Sequence, residues 1–184
     1  RLSAVPVRQT VTLSTTPAVA VRWLLPWVCI LRDSHPGIDL RIHASHEPVA
    51  LDGVTADIAI RYGDGRWPGL MAEKLFDNTF IPTCSPQLGL HEVNQLRSHS
   101  LIHFHPQESV TAPINWASWQ RQAKVPGLDV SAGLVFSDET HAISAAVGEQ
   151  GVALMSRQLI QDELEEGRLV QPFGPEFEGK PFFL

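Results

Sequence analysis

Between residues 10 and 42 the pattern of apolar and polar positions changes period twice. Val11 and Leu13 alternate with Thr10 and Thr12, the period of two expected of a half-buried strand built from residues that favour extended backbone. Three hydroxyl residues follow, Ser14, Thr15 and Thr16, and then Pro17. This is a helix start, with Thr16 as N-cap and Pro17 at the first helical position, where its missing N–H costs nothing. From Pro17 to about Ser34 the apolar positions are Val19, Val21, Trp23, Leu24, Leu25, Val28, Ile30 and Leu31. They are too many for one stripe on a surface helix, so one side should cover a sheet while another meets a partner. Pro26 should kink this helix or divide it into two, and His35, Pro36 and Gly37 stop it. Ile38, Leu40 and Ile42 alternate as a second strand.

The pattern then predicts a short helix and loop over residues 47–56 and a strand over Asp57–Arg61. Three strands with helical crossovers read as a parallel α/β lobe. Tyr62–Gly69, YGDGRWPG, leaves the third strand as an irregular loop, and strands follow at Leu70–Phe76 and Thr79–Cys84, the second apolar enough to be central. From Ser85 the pattern restarts. A helical segment near Glu92–Arg97 precedes a strand Leu101–His105, a helix near Asn115–Lys124 and a strand Val130–Ser137. A small-residue helix Asp138–Glu149, a strand Val152–Met155, a charged helix Gln158–Glu166 and a strand Leu169–Phe173 complete a second α/β lobe. Residues 1–9 read as a linker or fraying first strand, and Pro181–Leu184 as a strand start whose continuation has been cut away.

Composition narrows the function classes. A net charge of -6 and a pI near 5.7 argue against these residues gripping a nucleic-acid duplex. No apolar run reaches the roughly 18 residues of a membrane span, and Arg1 starts no signal peptide. Cys29 and Cys84 lack metal or redox spacing, so they are expected as reduced packing cysteines of a cytoplasmic protein.

Three stretches together resemble the effector-binding domain of LysR-type transcriptional regulators: STTPAVAVRWLLPWVCILRDSHPGIDLRI at 14–42, DGVTADIAIRYGDGRWPGLMAEKLFDNTFIPTCSP at 52–86, and FSDETHAISAAVGEQGVALMSRQLIQDELEEGRLVQPF at 136–173. Within that family RYGDGRWPGL and INWASWQRQ are most similar to the glycine-cleavage-activator branch. The resemblance implies a two-lobed α/β fold like the type II periplasmic binding proteins. Lobe I would be 9–78 plus 172–184 and lobe II 79–171, joined by two crossing strands near Asn78–Ile81 and Val170–Phe173. It further implies a small-molecule effector in the cleft between lobes and a dimer, or a tetramer in the full-length protein. DNA would be contacted only through an N-terminal winged helix-turn-helix absent from this chain.

Ligands of open α/β sheets sit beyond the carboxyl ends of strands, which selects candidate effector contacts. From the first lobe these are Ser14, Thr15 and Thr16, His46, Arg61 and Tyr62. The hydroxyl turn offers helix N–H groups and a positive dipole end to an anion, with plain capping as the alternative. Arg61 suits a carboxylate, or else an ion pair with Asp57 or Asp64. Tyr62 would supply a wall and a hydroxyl, or simply pack. From the second lobe come His103 and His105, at period two on one face, and Phe136, Ser137 and Asp138, where a strand again runs into a capped helix. The histidines lack a third ligand at fixed spacing, so no metal and no cofactor is expected.

Gly63 and Gly65 begin a GxG, but Pro68 stands where the third glycine of a dinucleotide motif belongs. Ser137, Asp138 and His141 lack a nucleophile elbow, so an enzyme is not expected. Trp116 and Trp119 read as packing residues. For the dimer, the first helix with Trp23, Trp27 and Ile30 is expected to meet Ile143 and Val147 of a second copy. A transport-type solute-binding protein of the same fold is the rival function, and would require export.

Overall fold

A computed structural model describes residues 8–104 and 114–184. They form two compact units, residues 8–76 with 181–184 and residues 77–104 with 114–180. The first unit is built on strand β1 (Gln9–Thr15), which pairs in parallel with β2 (Ile38–Ala44) along its whole length, Gln9 opposite Ile38 and Thr15 opposite Ala44. On its other side β1 pairs with the short β3 (Ile58–Ala59), giving the order β2-β1-β3.

The helix after β1 starts as the hydroxyl-proline pattern predicts. Thr16 caps it, its Oγ1 accepting from the Val19 N–H at 3.4 Å, and Pro17 occupies the first turn of α1 (Pro17–Val19). Pro26 falls in the first turn of a new segment, so the helix divides just ahead of it, as expected. A π turn at Ala20–Leu24 intervenes, in which the Leu25 N–H reaches back to the Ala20 carbonyl, and α2 (Leu25–Ser34) continues. The wider turn fits the sequence: Pro26 has no N–H to give and its ring would crowd the carbonyl four residues back. Ala18, Val19, Ala20 and Leu24 are buried against the sheet, whereas no residue of α2 is. Because the cap bond is long, Thr16→Ala should cost only about 0.5–1 kcal/mol, read as a lower urea midpoint at unchanged slope.

Two predicted elements of this unit, at residues 47–56 and 57–61, differ. Residues 47–56 form no helix; Asp52 Oδ1 accepts the N–H groups of Val54 and Thr55 in an Asx turn instead. The strand expected over Asp57–Arg61 is split at buried Ile60, and β4 (Arg61–Tyr62) belongs to a separate sheet of order β4-β11-β5 with β5 (Lys74–Phe76) and β11 (Phe182–Phe183). The end of the chain is thus the middle strand of that sheet. Its Phe182 ring lies 4.9 Å from Phe76 and 5.5 Å from Tyr62, while Trp23 stacks on Phe76 at 4.8 Å.

The second unit holds β6 (Thr79–Thr83), β7 (Leu101–Phe104), β8 (Leu134–Phe136), β9 (Val152–Ser156) and β10 (Phe177–Glu178) in one sheet of order β10-β6-β9-β7-β8. The strand predicted from Val130 begins only at Leu134, and the one predicted over Leu169–Phe173 is reduced to a bridge between Val170 and Cys84. Between these strands lie α3 (Trp116–Ala123), α4 (Glu139–Val147) and α5 (Gln161–Glu165). Trp116 and Trp119 are core residues, their indole N–H groups donating to the carbonyls of Ile102 and Pro175. Residues 172–180 fall in this unit because β10 pairs with β6 and the Gly179 N–H donates to the Asn78 carbonyl. Cys84 is fully buried, which pushes its thiol up to about 11, but Cys29 is exposed on α2 rather than packed.

Candidate functional site

In the first unit the carboxyl ends of β1 and β3 bring Ser14, Thr15, Thr16 and Arg61 together. Ser14 and Thr15 are fully buried. Thr15 donates its hydroxyl to the Ile60 carbonyl at 3.1 Å, and Ser14 Oγ accepts from Arg61 Nη2 at 2.7 Å. The same guanidinium donates through Nη1 to the Ser45 carbonyl at 2.9 Å and through Nη2 to the Glu47 carbonyl at 3.2 Å. Arg61 therefore fastens the 45–47 loop over the end of β1, a long-range role invisible in the sequence.

Neither anticipated ion pair forms. Asp57 is turned to the Thr12 N–H at 2.7 Å, and Arg61 has no bond to Asp64. Among the described residues no carboxylate pairs with Arg61. Its partial burial, uncompensated by an anion, lowers its pKa from the ordinary arginine value, although the group stays protonated. The guanidinium retains its Nε–H and a second Nη1 N–H. A half-desolvated cation beside a helix start, satisfied only by neutral oxygens, is an environment that favours an incoming anion. His46 is half-buried on the loop that Arg61 fastens, and Tyr62 is half-buried with its ring on Phe182, so packing accounts for at least part of its role.

Two glycines of the YGDGRWPG loop, Gly63 and Gly65, are explained by packing. A side chain at Gly65, whose φ is +71°, would lie 2.5 Å from the Phe183 ring, and one at Gly63 would lie 3.0 Å from Trp67. The loop folds onto the chain's final strand.

In the second unit Asp138 caps α4, accepting from the Thr140 N–H at 2.8 Å, with Ser137 exposed and Phe136 half-buried against the core. His103 is 8% exposed and its Nε2 is 2.9 Å from the Ala132 carbonyl, a tie that explains the residue structurally. His105 lies outside the described residues. The sequence reading passed over Glu139. Its carboxyl accepts from the Ser156 N–H, yet burial pushes it up to about 7, the Ser156 bond opposing and the adjacent Asp138 charge adding to the rise. Glu139 Oε1 has no hydrogen-bond partner, and Ser156 Oγ in turn donates to Asn78 Oδ1 at 2.6 Å. An acid following a capping Asp looked like an ordinary complement to the helix dipole, so only burial could have singled it out.

The proposed dimer residues separate into two sets. Trp27 is 54% and Ile30 59% exposed, joined on the helix by Val21 and Leu25. Trp23 instead stacks on Phe76 within its own unit. Ile143 is fully buried and Val147 packs against the same core, so Ile143 cannot serve as a contact for a second copy. Ala142, Ile143 and Ala146 form the face of α4 turned to its own sheet.

The model of the LysR substrate binding domain matches residues 5–184. The chain is 36% identical over 180 residues to the glycine cleavage system transcriptional activator of Escherichia coli K12, covering 94% of this chain and 56% of that protein. It is 29% identical over 179 residues to the transcriptional regulator BlaA of Proteus vulgaris, covering 96% and 59%. The chain thus spans just over half the length of these curated relatives. Among solved structures it is similar to the effector domain of the regulator AmpR of Pseudomonas aeruginosa, with 27% identity, a TM-score of 0.77 and coverage of 95% of this chain and 84% of that one. The AmpR effector binding domain from Citrobacter freundii, 23% identical, shares the fold with a TM-score of 0.79 over 96% and 86%. These matches run through both units, whose α/β fold is that of the type II periplasmic-binding-protein class: the chain belongs to the LysR substrate-binding domain family.

Proposed function

We propose that this chain is the sensing part of a bacterial DNA-binding transcriptional regulator of the cytoplasm, and that its effector is a small anionic or zwitterionic metabolite such as an amino acid. The observation that supports this most is Arg61, partly desolvated, without a carboxylate partner, and hydrogen-bonded to Ser14 at the start of a helix. The effector's carboxylate is bound by the free N–H groups of Arg61 and the Ser14–Thr16 turn. The domain binds and responds; it does not catalyse. DNA is contacted by the part of the whole regulator outside these residues, and effector binding shifts the population of its assembled states.

The charge requirement is tested by thermal shift with small carboxylic acids and their neutral amides. A ligand present at about a hundred times its Kd stabilises by roughly 2.7 kcal/mol, enough to move a melting temperature by several degrees. The carboxylate should raise the melting temperature and the amide should not; equal shifts from both would remove the anion from the account.

The assembly is a homodimer that covers the outer face of α2, with Trp27 and Ile30 at its centre. The apolar edge strand β8 is its complement, in place of Ile143: Leu134 is 39% and Val135 60% exposed. Trp27→Asp combined with Ile30→Asp should convert a dimer at micromolar concentration to monomer in sedimentation, without loss of far-UV helix signal. Wild type that sediments only as monomer would end this proposal.

A further inference from the structure

Away from the strand ends that carry the residues above, a cavity of about 280 Å³ opens in the second unit at the amino ends of β7 and β8. Residues 96, 97 and 99–101, leading into β7, and 127–129, 132 and 133, leading into β8, line it. Its floor is apolar: Leu96, Leu101 and Leu128 are 0%, 3% and 7% exposed. Its walls carry opposite charges, Arg97 and Asp129. Each is anchored to its own turn rather than to the other. Arg97 donates through Nη2 to the Pro126 carbonyl, leaving its Nε–H and Nη1 N–H groups uncommitted. Asp129 Oδ1 accepts both the N–H of Ser131 at 2.9 Å and its hydroxyl at 2.6 Å, and the carboxyl also accepts from the Ala132 N–H, so its partners are neutral donors of its own turn. Among the described residues neither makes an ion pair, although both line one small cavity. The two bonds from Ser131, with a further one from the Ala132 N–H, hold the Asp129 carboxyl below the usual carboxylate range, so it is ionised at neutral pH.

We propose that this cavity is a second small-molecule site, shaped for a compact zwitterion with an apolar side chain. The ligand's carboxylate meets Arg97, its ammonium meets Asp129, and its hydrocarbon lies on the leucine floor. Two unpaired opposite charges over an apolar floor match an amino acid in all three of its parts, and each charged pair forms without breaking an internal one. The volume lies at the low end of the roughly 300–1,000 Å³ usual for ligand pockets, which limits the ligand to a single small metabolite. This site shares no residue with the Arg61 site and does not depend on it.

The test is heteronuclear NMR titration of the chain with L-leucine, with isocaproate, which lacks the ammonium, and with isoamylamine, which lacks the carboxylate. L-leucine should move the amide resonances of residues 96–101 and 127–133 saturably, and each analogue should bind about tenfold or more weakly. Asp129→Asn keeps the Oδ1 acceptor for Ser131, and Arg97→Gln keeps an amide donor for Pro126, so both preserve the turns. Each should weaken L-leucine about tenfold or more, as read at the resonances of those two segments. The proposal is overturned if those segments show no saturable shift, if either analogue binds as tightly as L-leucine, or if Asp129→Asn or Arg97→Gln leaves the affinity intact.

Discussion

Replacing Arg61 by methionine is expected to weaken the effector by about two to three orders of magnitude. Methionine keeps an apolar stem but removes the charge and every N–H. Truncating one member of a largely desolvated, hydrogen-bonded charge pair costs roughly 2–5 kcal/mol, and each 1.4 kcal/mol is about a tenfold change. Arg61→Lys should fall between, because it keeps the charge but not the planar fork that reaches Ser14, Ser45 and Glu47 together. A structural effect accompanies the loss of binding. The 45–47 loop loses two hydrogen bonds, so its amides should exchange faster in Arg61→Met even without ligand. Calorimetry separates the two: a loop defect would weaken a carboxylate ligand and its neutral amide alike, whereas loss of the charge pair weakens only the carboxylate.

The second large effect concerns pH. The Glu139 carboxyl has its folded-state pKa raised from 4.5 to about 7 by burial. The folded state therefore holds a proton that the unfolded chain releases earlier, and stability slopes downward with pH between those values. Its contribution is fully present below about 4.5, is lost progressively as pH rises through about 7, and is then constant. At about 1.4 kcal/mol per pH unit, the wild type loses on the order of 3 kcal/mol across that window from this group alone. Glu139→Gln keeps an acceptor for the Ser156 N–H and never ionises, so its urea-derived stability should be nearly flat from pH 5 to 8 and exceed wild type at pH 8. A variant that follows the wild-type slope would assign the pH dependence to other groups.

How much of this was legible depended on how far apart the interacting residues lie. The β1–α1 unit could be read because its signals are local: alternating threonines, a hydroxyl cap and Pro17 act within a few positions of one another. The division at Pro26 was legible, but its form as a π turn was not, since sequence alone does not say how the freed carbonyls are accommodated. Residues 47–56 were misread as helical because their order comes from the Asp52 side chain and from Arg61 bonds that close from 14 and 16 positions away. The last strand, Phe182–Phe183, seemed to lack a continuation, but its partners are Arg61, Tyr62, Lys74 and Phe76, more than a hundred positions earlier. In α4 a run of small residues suggested an outward contact. The spacing of Ala142, Ile143 and Ala146 is instead that of one inward face, a periodicity argument that was available and outweighed by composition. Of the site, the hydroxyl turn and Arg61 could be named from the rule of strand ends, while the hydrogen bonds that assign their roles are set by tertiary contacts.

The central claim is that an anionic effector is bound at the Ser14–Thr16 turn through Arg61. Its most direct test is calorimetric titration of wild type, Thr16→Ala and Arg61→Met with a panel of amino acids and small carboxylates. The account predicts at least one panel member that binds wild type and loses about a hundredfold or more in Arg61→Met, with a smaller loss in Thr16→Ala. A panel in which no ligand's affinity depends on Arg61 would contradict it.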